Sequence, residues 1–235
     1  MDTEYEAGVE MGKFFADKGI KTAAIYGAFI PNPMHVYRTA GVLAGLGLSY
    51  GGATTEEDVV GLIFADQGID LSKISGDIKI VSYLQGYGDT TTDEINAAIQ
   101  AAPEAFISVG MATTFFTQQL NAAGIEFSDI DSFTKSNGEA ITNGKLVYLA
   151  GKYSSSVGPA FALVMNAING NVIRDAEGNA VSLSQNYQVA TDSETFDKFY
   201  KNDNGDNPIY SRDTLDQIIG DTVTFDTINE VVASN

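Results

Sequence analysis

His35 is the only imidazole among the 235 residues of this sequence. A Ser–His–Asp triad would have to be built on it, but it follows Pro33 at the start of a helix and no G-x-S-x-G turn occurs. With no cysteine, the chain has no thiol nucleophile, no thiolate zinc site and no disulfide framework. Paired carboxylates could cleave a glycoside, yet none of the 31 acidic residues stands out in an apolar setting. Asn202, Asn204 and Asp206 fall at calcium-loop spacing, with Asp213 in the twelfth place. The sixth place is Asn207, where the sharp turn demands glycine, and the twelfth is not glutamate, so the run reads as a hydrophilic linker. No G-x-G-x-x-G or Walker-type loop follows the first strand, which removes the support for gripping a nucleotide phosphate. No catalytic or metal-binding set emerges, and neither an enzyme nor a bound cofactor is expected.

The remaining chemistry is aromatic and amide. Phe29, Asn32, Tyr83, Gln85, Tyr87, Phe115 and Phe133 all lie at or just after the ends of expected strands. Rings cover the hydrocarbon face of a small polar solute while fixed amides replace its water, which is what a binding cleft needs.

Such groups must be held by a scaffold, and the sequence alternates strand and helix. Tyr5–Lys18 carries apolar residues at helical spacing and stops at Gly19. Lys21–Ala28 reads as a buried parallel strand, and Met34–Leu46 as the helix after it. Asp77–Leu84, Ala105–Val109, Ile125–Ile130 and Lys145–Ala150 read as further strands. Helices are expected over Thr90–Ala102, where Thr90, Thr91 or Thr92 could cap, and over Thr113–Ala123, Lys135–Asn143 and Ser154–Asn169. Asp175–Asn179 reads as a hairpin turn, Tyr200–Ser211 as a polar linker, and Asp213–Ile219 and Thr224–Val232 as short helices. Repeated strand–helix units imply an α/β fold with a doubly wound, mostly parallel sheet. Ligands then bind at the carboxyl ends of the strands, in Gly27–Asn32, Gln85–Asp89, Gly110–Thr113 and Asp131–Lys135.

Composition narrows the partners. The chain is 44% apolar and 19% charged, which suits a folded core, and no apolar stretch is long enough to span a bilayer. A formal charge of −18 leaves no surface to displace counterions from DNA or RNA, so no nucleic-acid partner is expected. Asp2, Glu4 and Glu6 stand where a leader would be basic and then apolar, so the chain is read either as cytosolic or as trimmed of its leader.

The order of pieces resembles a known family. The helix Ala7–Lys21 (AGVEMGKFFADKGIK), the strand Ala23–Ala28 (AAIYGA) and the helix Tyr37–Leu46 (YRTAGVLAGL) resemble the start of the second lobe in type I periplasmic solute-binding proteins, the ribose-binding and LacI-like superfamily. Arg38 and Gly41–Val42 match that family's helix pattern. Asn96–Thr113 and Ile125–Gly158 resemble the following strands, loops and crossover, so the likeness runs from about Glu4 to Gly170. It implies a Rossmann- or flavodoxin-like lobe of a receptor that captures a small polar solute, most often a sugar. That receptor hands the solute to the membrane subunits of an ABC-type importer and works outside the cytoplasm, periplasmic or as a cell-surface lipoprotein. The ligand-facing residues implied are Phe29, Asn32, Met111, Asp131, Ser132, Phe133, Lys152 and Tyr153, with Phe29 and Phe133 stacking and Asn32, Ser132 and Lys152 hydrogen bonding. An effector-binding domain of a LacI-type regulator shares the same sheet and stands as the alternative.

The chain departs from the family's usual pattern. Gly110–Met111 replace its asparagine–aspartate pair, its aspartate–glycine pair is missing near Ser132–Phe133, and the arginine often found after the lobe's first strand is absent. The resemblance also implies a first lobe preceding Tyr5. The expected division is a ligand-binding lobe over residues 1–150, a crossover and return segment of the first lobe over 151–191, and an acidic segment with short helices over 192–235. The Ser154–Asn169 helix is apolar nearly all round. It is expected to pack against a second copy, giving a homodimer, or to refold onto the lobe that is present.

Overall fold

Apolar runs at strand length separated by amphipathic helices build an open six-stranded sheet and a separate two-stranded one in the computed structural model, which describes residues 2–87, 91–206 and 208–233. Gly88 and Asp89 of one expected loop, Thr90 among the expected caps, and Asn207 lie outside the described residues. In chain order the first half runs α1 (Asp2–Asp17), β1 (Thr22–Tyr26), α2 (Pro33–Gly45), β2 (Ser49–Tyr50), α3 (Glu56–Asp66), β3 (Ile74–Ser75), β4 (Lys79–Leu84) and α4 (Thr91–Gln100). The second half runs β5 (Ala105–Ser108), α5 (Ala112–Phe115), α6 (Thr117–Ala123), β6 (Glu126–Ile130), α7 (Lys135–Asn143), β7 (Leu146–Gly151), α8 (Val157–Ile168), β8 (Gln188–Ala190), α9 (Ser193–Asn204), α10 (Arg212–Asp216) and α11 (Phe225–Ala233).

The main sheet has the order β4-β1-β5-β6-β7-β8. Its first five strands are parallel, and β8 closes one edge antiparallel to β7. The chain steps from β1 outward to β4, then crosses back to β5 on the other side of β1. That reversal opens a crevice between the β1 and β5 loops at the carboxyl edge. The expected doubly wound, mostly parallel architecture is therefore the one observed.

Four glycines set how helices α1 and α2 meet. A Cβ on Gly41 would stand 2.1 Å from the Tyr5 carbonyl oxygen, and one on Gly8 the same distance from that of Arg38. Gly12 and Gly45 repeat the arrangement one turn on, against Val42 and Val9. Backbone lies directly on backbone, with α1 delivering Met11 and Phe15 into the core beside Ile25, Phe106 and Phe127.

Beyond the short β2–β3 pair, which the sequence reading did not expect, three helical segments differ from it. Helix α3 is an addition: Thr55 caps it by accepting from the Asp58 N–H, and Glu56, Glu57 and Asp58 crowd its positive end. The expected helix Thr113–Ala123 breaks at Phe116, whose ring turns inward against Tyr26 at 4.9 Å. The expected linker from Tyr200 begins as the last turns of α9. Asp192 caps that helix on the Thr195 N–H at 2.7 Å, and only Phe196 and Phe199 of its otherwise polar surface enter the core. The Asn202 and Asn204 of the calcium-like spacing thus sit on a helix and not in a loop.

Helix α8 has two faces. Ala162 meets Ile218, Ile228 and Val232 in a small second core. Asn166 ties that core to the chain, donating to the Ile218 carbonyl and accepting from the Gly220 N–H, both at 2.8 Å. The opposite stripe is bare: Val157, Phe161, Val164 and Ile168 are 69, 52, 56 and 71% exposed.

Replacing Gly41 by alanine drives a methyl into the Tyr5 carbonyl, and overpacking of this kind costs about 3 kcal/mol. Urea denaturation of Gly41→Ala should show that loss, whereas Gly61→Ala, whose Cβ would meet nothing within 4 Å, should not lose stability.

Candidate functional site

Five parallel strands end on one edge, and the loops after them carry the candidate residues. After β1 the chain turns tightly at Gly27, where a Cβ would collide with the Tyr83 hydroxyl at 2.3 Å. Ala28 then takes a left-handed conformation (φ 51°), and Asn32 caps α2 through a 3.0 Å bond from the Met34 N–H. Across the crevice Met111 is also left-handed (φ 69°) and starts α5 without a side-chain cap. Two non-glycine residues held at positive φ on the two sides of one crevice mark it as a place where local strain is tolerated for geometry.

Above this crevice lies an aromatic ledge drawn from the loops after β1 and β4 and from the end of α5. Phe29 meets Tyr87 edge-on at 5.0 Å, and Tyr87 stacks on Phe115 at 5.6 Å with planes 7° apart. Tyr87 is 66% exposed, so the ledge is open to solvent. Tyr83 belongs below it: burial pushes its hydroxyl pKa well above the ordinary value, and that hydroxyl donates to Gln85 Oε1 at 2.9 Å.

Beneath the crevice a charged group is locked in place. The Arg38 guanidinium donates to Glu4 at 2.7 Å, to the Val109 carbonyl at 2.9 Å and to the Tyr187 hydroxyl at 2.5 Å. Tyr187 donates in turn to Glu4 at 2.7 Å, and the Lys152 ammonium reaches Glu4 at 3.2 Å while lying 4.3 Å from the Tyr187 ring centre. Burial alone would raise the Glu4 pKa, but the Arg38 charge and the Tyr187 hydrogen bond outweigh it and hold the carboxyl below its usual value. His35 is buried beside this group. Its Nδ1 lies 3.1 Å from the Phe29 backbone nitrogen and 3.2 Å from the Phe29 carbonyl oxygen, so the Phe29 backbone offers it a donor in the neutral ring and an acceptor when Nδ1 is protonated. Burial, aided by the Arg38 charge, holds this imidazole below its ordinary pKa despite opposing contributions from Phe29 and Glu4.

Strand β6 and the loop after it bring two carboxylates. Asp131 is half-buried at the edge; its Oδ1 accepts the Ser132 N–H at 2.7 Å. Asp129 is fully buried one turn of strand below, accepting from the Ser108 hydroxyl at 2.9 Å and the Thr113 N–H at 2.7 Å. Burial pushes its pKa up to about 6 against those donors. The expectation that no acid stands in an apolar setting is overturned here. Asp129 is hidden in the sequence because strand β6 (EFSDI) also carries Ser128, and the strand reads as mixed until both are seen to be inward-facing and satisfied.

Phe29, Asn32, Met111, Asp131, Ser132 and Lys152 therefore all lie at the carboxyl edge, partly or wholly accessible. Phe133 is only 2% exposed, enclosed by Tyr153, Phe196 and Phe199. Tyr153 is buried with it and accepts from Asn202 at 3.3 Å. These two rings brace the loops from beneath helix α9. The sequence reading placed Tyr87 and Phe115 among the cleft aromatics and Thr113 at the end of an expected ligand loop, but gave none of them a specific role, and it gave no site role to Glu4. Among the described residues, no group of three or more His, Cys, Asp or Glu side chains could hold a metal ion. A crevice of about 670 Å³ opens elsewhere, at the amino end of β4 between Leu71 and Val81, where Lys79 is its one ionisable lining residue.

No protein-family model and no curated protein matches the sequence. Solved structures do match the fold. A periplasmic solute-binding protein of an ABC transporter from Actinobacillus succinogenes, with bound D-allose, aligns at TM-score 0.53 and 16% identity over 84% of this chain and 61% of its own. The arabinose-transporter binding protein of Shewanella sp. ANA-3, bound to L-arabinofuranose, aligns at TM-score 0.55 and 17% identity over 86% and 61%. A galactofuranose-binding protein aligns at TM-score 0.56 and 11% identity over 86% and 62%. The chain thus has the fold of type I periplasmic binding proteins and spans about three fifths of the length of each of these structures.

A histidine kept neutral by the fold makes stability depend on pH. The unfolded chain takes up the proton first, so this contribution shrinks as pH falls below the ordinary imidazole value and is whole above it. Urea midpoints at pH 7.5 and 5.5 should therefore drop further in the native chain than in His35→Gln; equal drops would remove His35 from the account.

Proposed function

We propose that this chain forms the solute-capturing lobe of an extracytoplasmic receptor that delivers a small, hydroxyl-rich solute to an ABC-type importer. The observation that carries the reading is the Phe29–Tyr87–Phe115 ledge, which lies open at the strand reversal and is flanked by the polar edge of Asn32, Asp131 and Ser132. Exposed aromatic edges and ring surface with acceptors beside them suit a pyranose or furanose, whose one face is C–H and whose rim is hydroxyl. The sugars named for the matching folds, D-allose, L-arabinofuranose and galactofuranose, support the same class. The second wall of the cleft belongs to a partner lobe that closes about the crossover near Lys152 and Tyr187. The Glu4 clasp joins both crossovers to α1 and α2, and so gives that hinge a fixed anchor.

With one wall present, little solute surface can be buried, and affinity should be on the order of 1 mM. Calorimetry of the chain against D-allose, L-arabinose, galactose, nucleosides and amino acids should find saturable binding by a sugar. Phe29→Ala should weaken that binding roughly tenfold through lost ring contact. Failure of every solute to bind, or full affinity in Phe29→Ala, would contradict the assignment.

The bare stripe of α8 is the surface for a second copy. Tyr153–Ile173 carry no charged side chain in a chain of net charge −18, so two copies meet there without opposing carboxylates. Sedimentation at tens of micromolar, roughly the range for a modest interface, should show a dimer that Phe161→Glu converts to monomer. A monomeric native chain under those conditions would refute this contact.

A further inference from the structure

The carboxyl edge holds a hydrogen-bond arrangement around Thr113 that the solute reading does not use. Thr113 Oγ1 stands 2.8 Å from Asp129 Oδ2 and 3.0 Å from Asp131 Oδ2. A hydroxyl owns one hydrogen and can donate it to only one of them. With both carboxylates ionised, the other contact sets lone pair against lone pair across a hydrogen-bond distance. A proton on Asp129 Oδ2 resolves the conflict: Asp129 donates to Thr113, and Thr113 donates to Asp131. The other lone pair of that oxygen already takes the Thr113 N–H, and Oδ1 takes the Ser108 hydroxyl and the Ile130 N–H.

We propose that the single Thr113 hydrogen, shared between Asp129 and Asp131, couples solute capture at the carboxyl edge to release of a proton, so that a hydroxyl-rich solute is held more tightly as pH rises. The inference rests on the solute reading above. A solute hydroxyl that donates to Asp131 replaces the Thr113 hydrogen there. That hydrogen turns to Asp129, and the proton on Asp129 leaves for solvent. Charge and atoms balance: one proton leaves for each solute captured by the protonated form.

The surroundings supply no competing charge within the set. From β1, Tyr26 faces Asp129, but burial and the Asp129 charge push its hydroxyl up to about 12, and it donates to the Gly86 carbonyl at 2.9 Å. From β5 comes the neutral Ser108, from β7 the apolar Leu149 in register with Asp129, and from α7 the Asn137 amide, 3.4 Å from Asp131. The charged Arg38 and the neutral His35 of α2 lie beneath Gly110, where Arg38 is committed to Glu4 and the Val109 carbonyl. Burial of Asp129, with the nearby Asp131 charge, raises its pKa to about 6, which places the exchange in an accessible pH range.

The test has two arms on the whole chain. Without solute, carboxyl carbon NMR should show Asp131 sensing the titration of Asp129. Thr113→Val should shrink that inflection to the residual through-space effect of one charge on the other, and Thr113→Ser, which keeps the hydroxyl, should retain it in full. With D-allose as probe, the dissociation constant should fall roughly fivefold between pH 5 and 7.5. The same change should be absent in Asp129→Asn. Sugar binding that is flat with pH, or an Asp131 titration blind to Asp129, overturns this inference and leaves the solute reading standing. No binding of any panel sugar at any pH overturns the solute reading and the coupling with it.

Discussion

Two helices touching through their backbones govern this molecule. Where Gly8 and Gly12 of α1 meet Gly41 and Gly45 of α2, side chains would hold the helices too far apart for the contacts that follow. Only at that spacing can Glu4, near the start of α1, meet Arg38 on α2, and only then does Arg38 reach past α2 to the Val109 carbonyl at the end of β5. A buried pair of this type is weak evidence for net stability, because desolvation offsets much of the attraction. Its effect is positional. It holds the end of β5, Lys152 and Tyr187 around one shared carboxylate.

The strand reversal inherits that rigidity on its lower side and openness on its upper side. Below, Arg38, His35 and Asp129 have nearly every polar atom paired with backbone or neighbouring side chains. Above, the Phe29–Tyr87–Phe115 ledge has exposed ring surface and no polar obligations beyond the Tyr87 hydroxyl. Left-handed Ala28 and Met111 sit where the two regimes join, each costing about 1 kcal/mol or more in backbone strain. A site that must receive and release a solute needs this contrast. In the solute reading proposed above, the floor would fix the geometry while the ledge exchanges water for ligand.

Much of the fold could be read from the sequence because parallel strands announce themselves as short apolar runs. Lys21–Ala28 and Lys145–Ala150 needed no tertiary information. The same reading missed α3 and misjudged the start of the Tyr200 linker, where two or three apolar residues suffice on a mostly polar helix. Phe196 and Phe199 look like isolated aromatics until Phe133 and Tyr153 are seen to wait for them. For the site, loop position identified Phe29, Asn32 and Asp131. It could not separate Phe133, which is buried, from Phe115, which is partly exposed beside Tyr87, because both are aromatics that come after strand ends and ring type does not reveal which way a ring turns. Asp129 escaped for a different reason: a buried acid is revealed by its donors, and Ser108 and Thr113 lie some twenty residues away in the chain.

The central claim is that solute meets this chain at the carboxyl edge where the strand order reverses. Amide chemical-shift mapping during titration with L-arabinose tests it most directly. The account predicts perturbations confined to residues 27–32, 85–87, 110–115 and 131–134. Perturbations clustered instead at the crevice between Leu71 and Val81, at the amino end of β4, would contradict it.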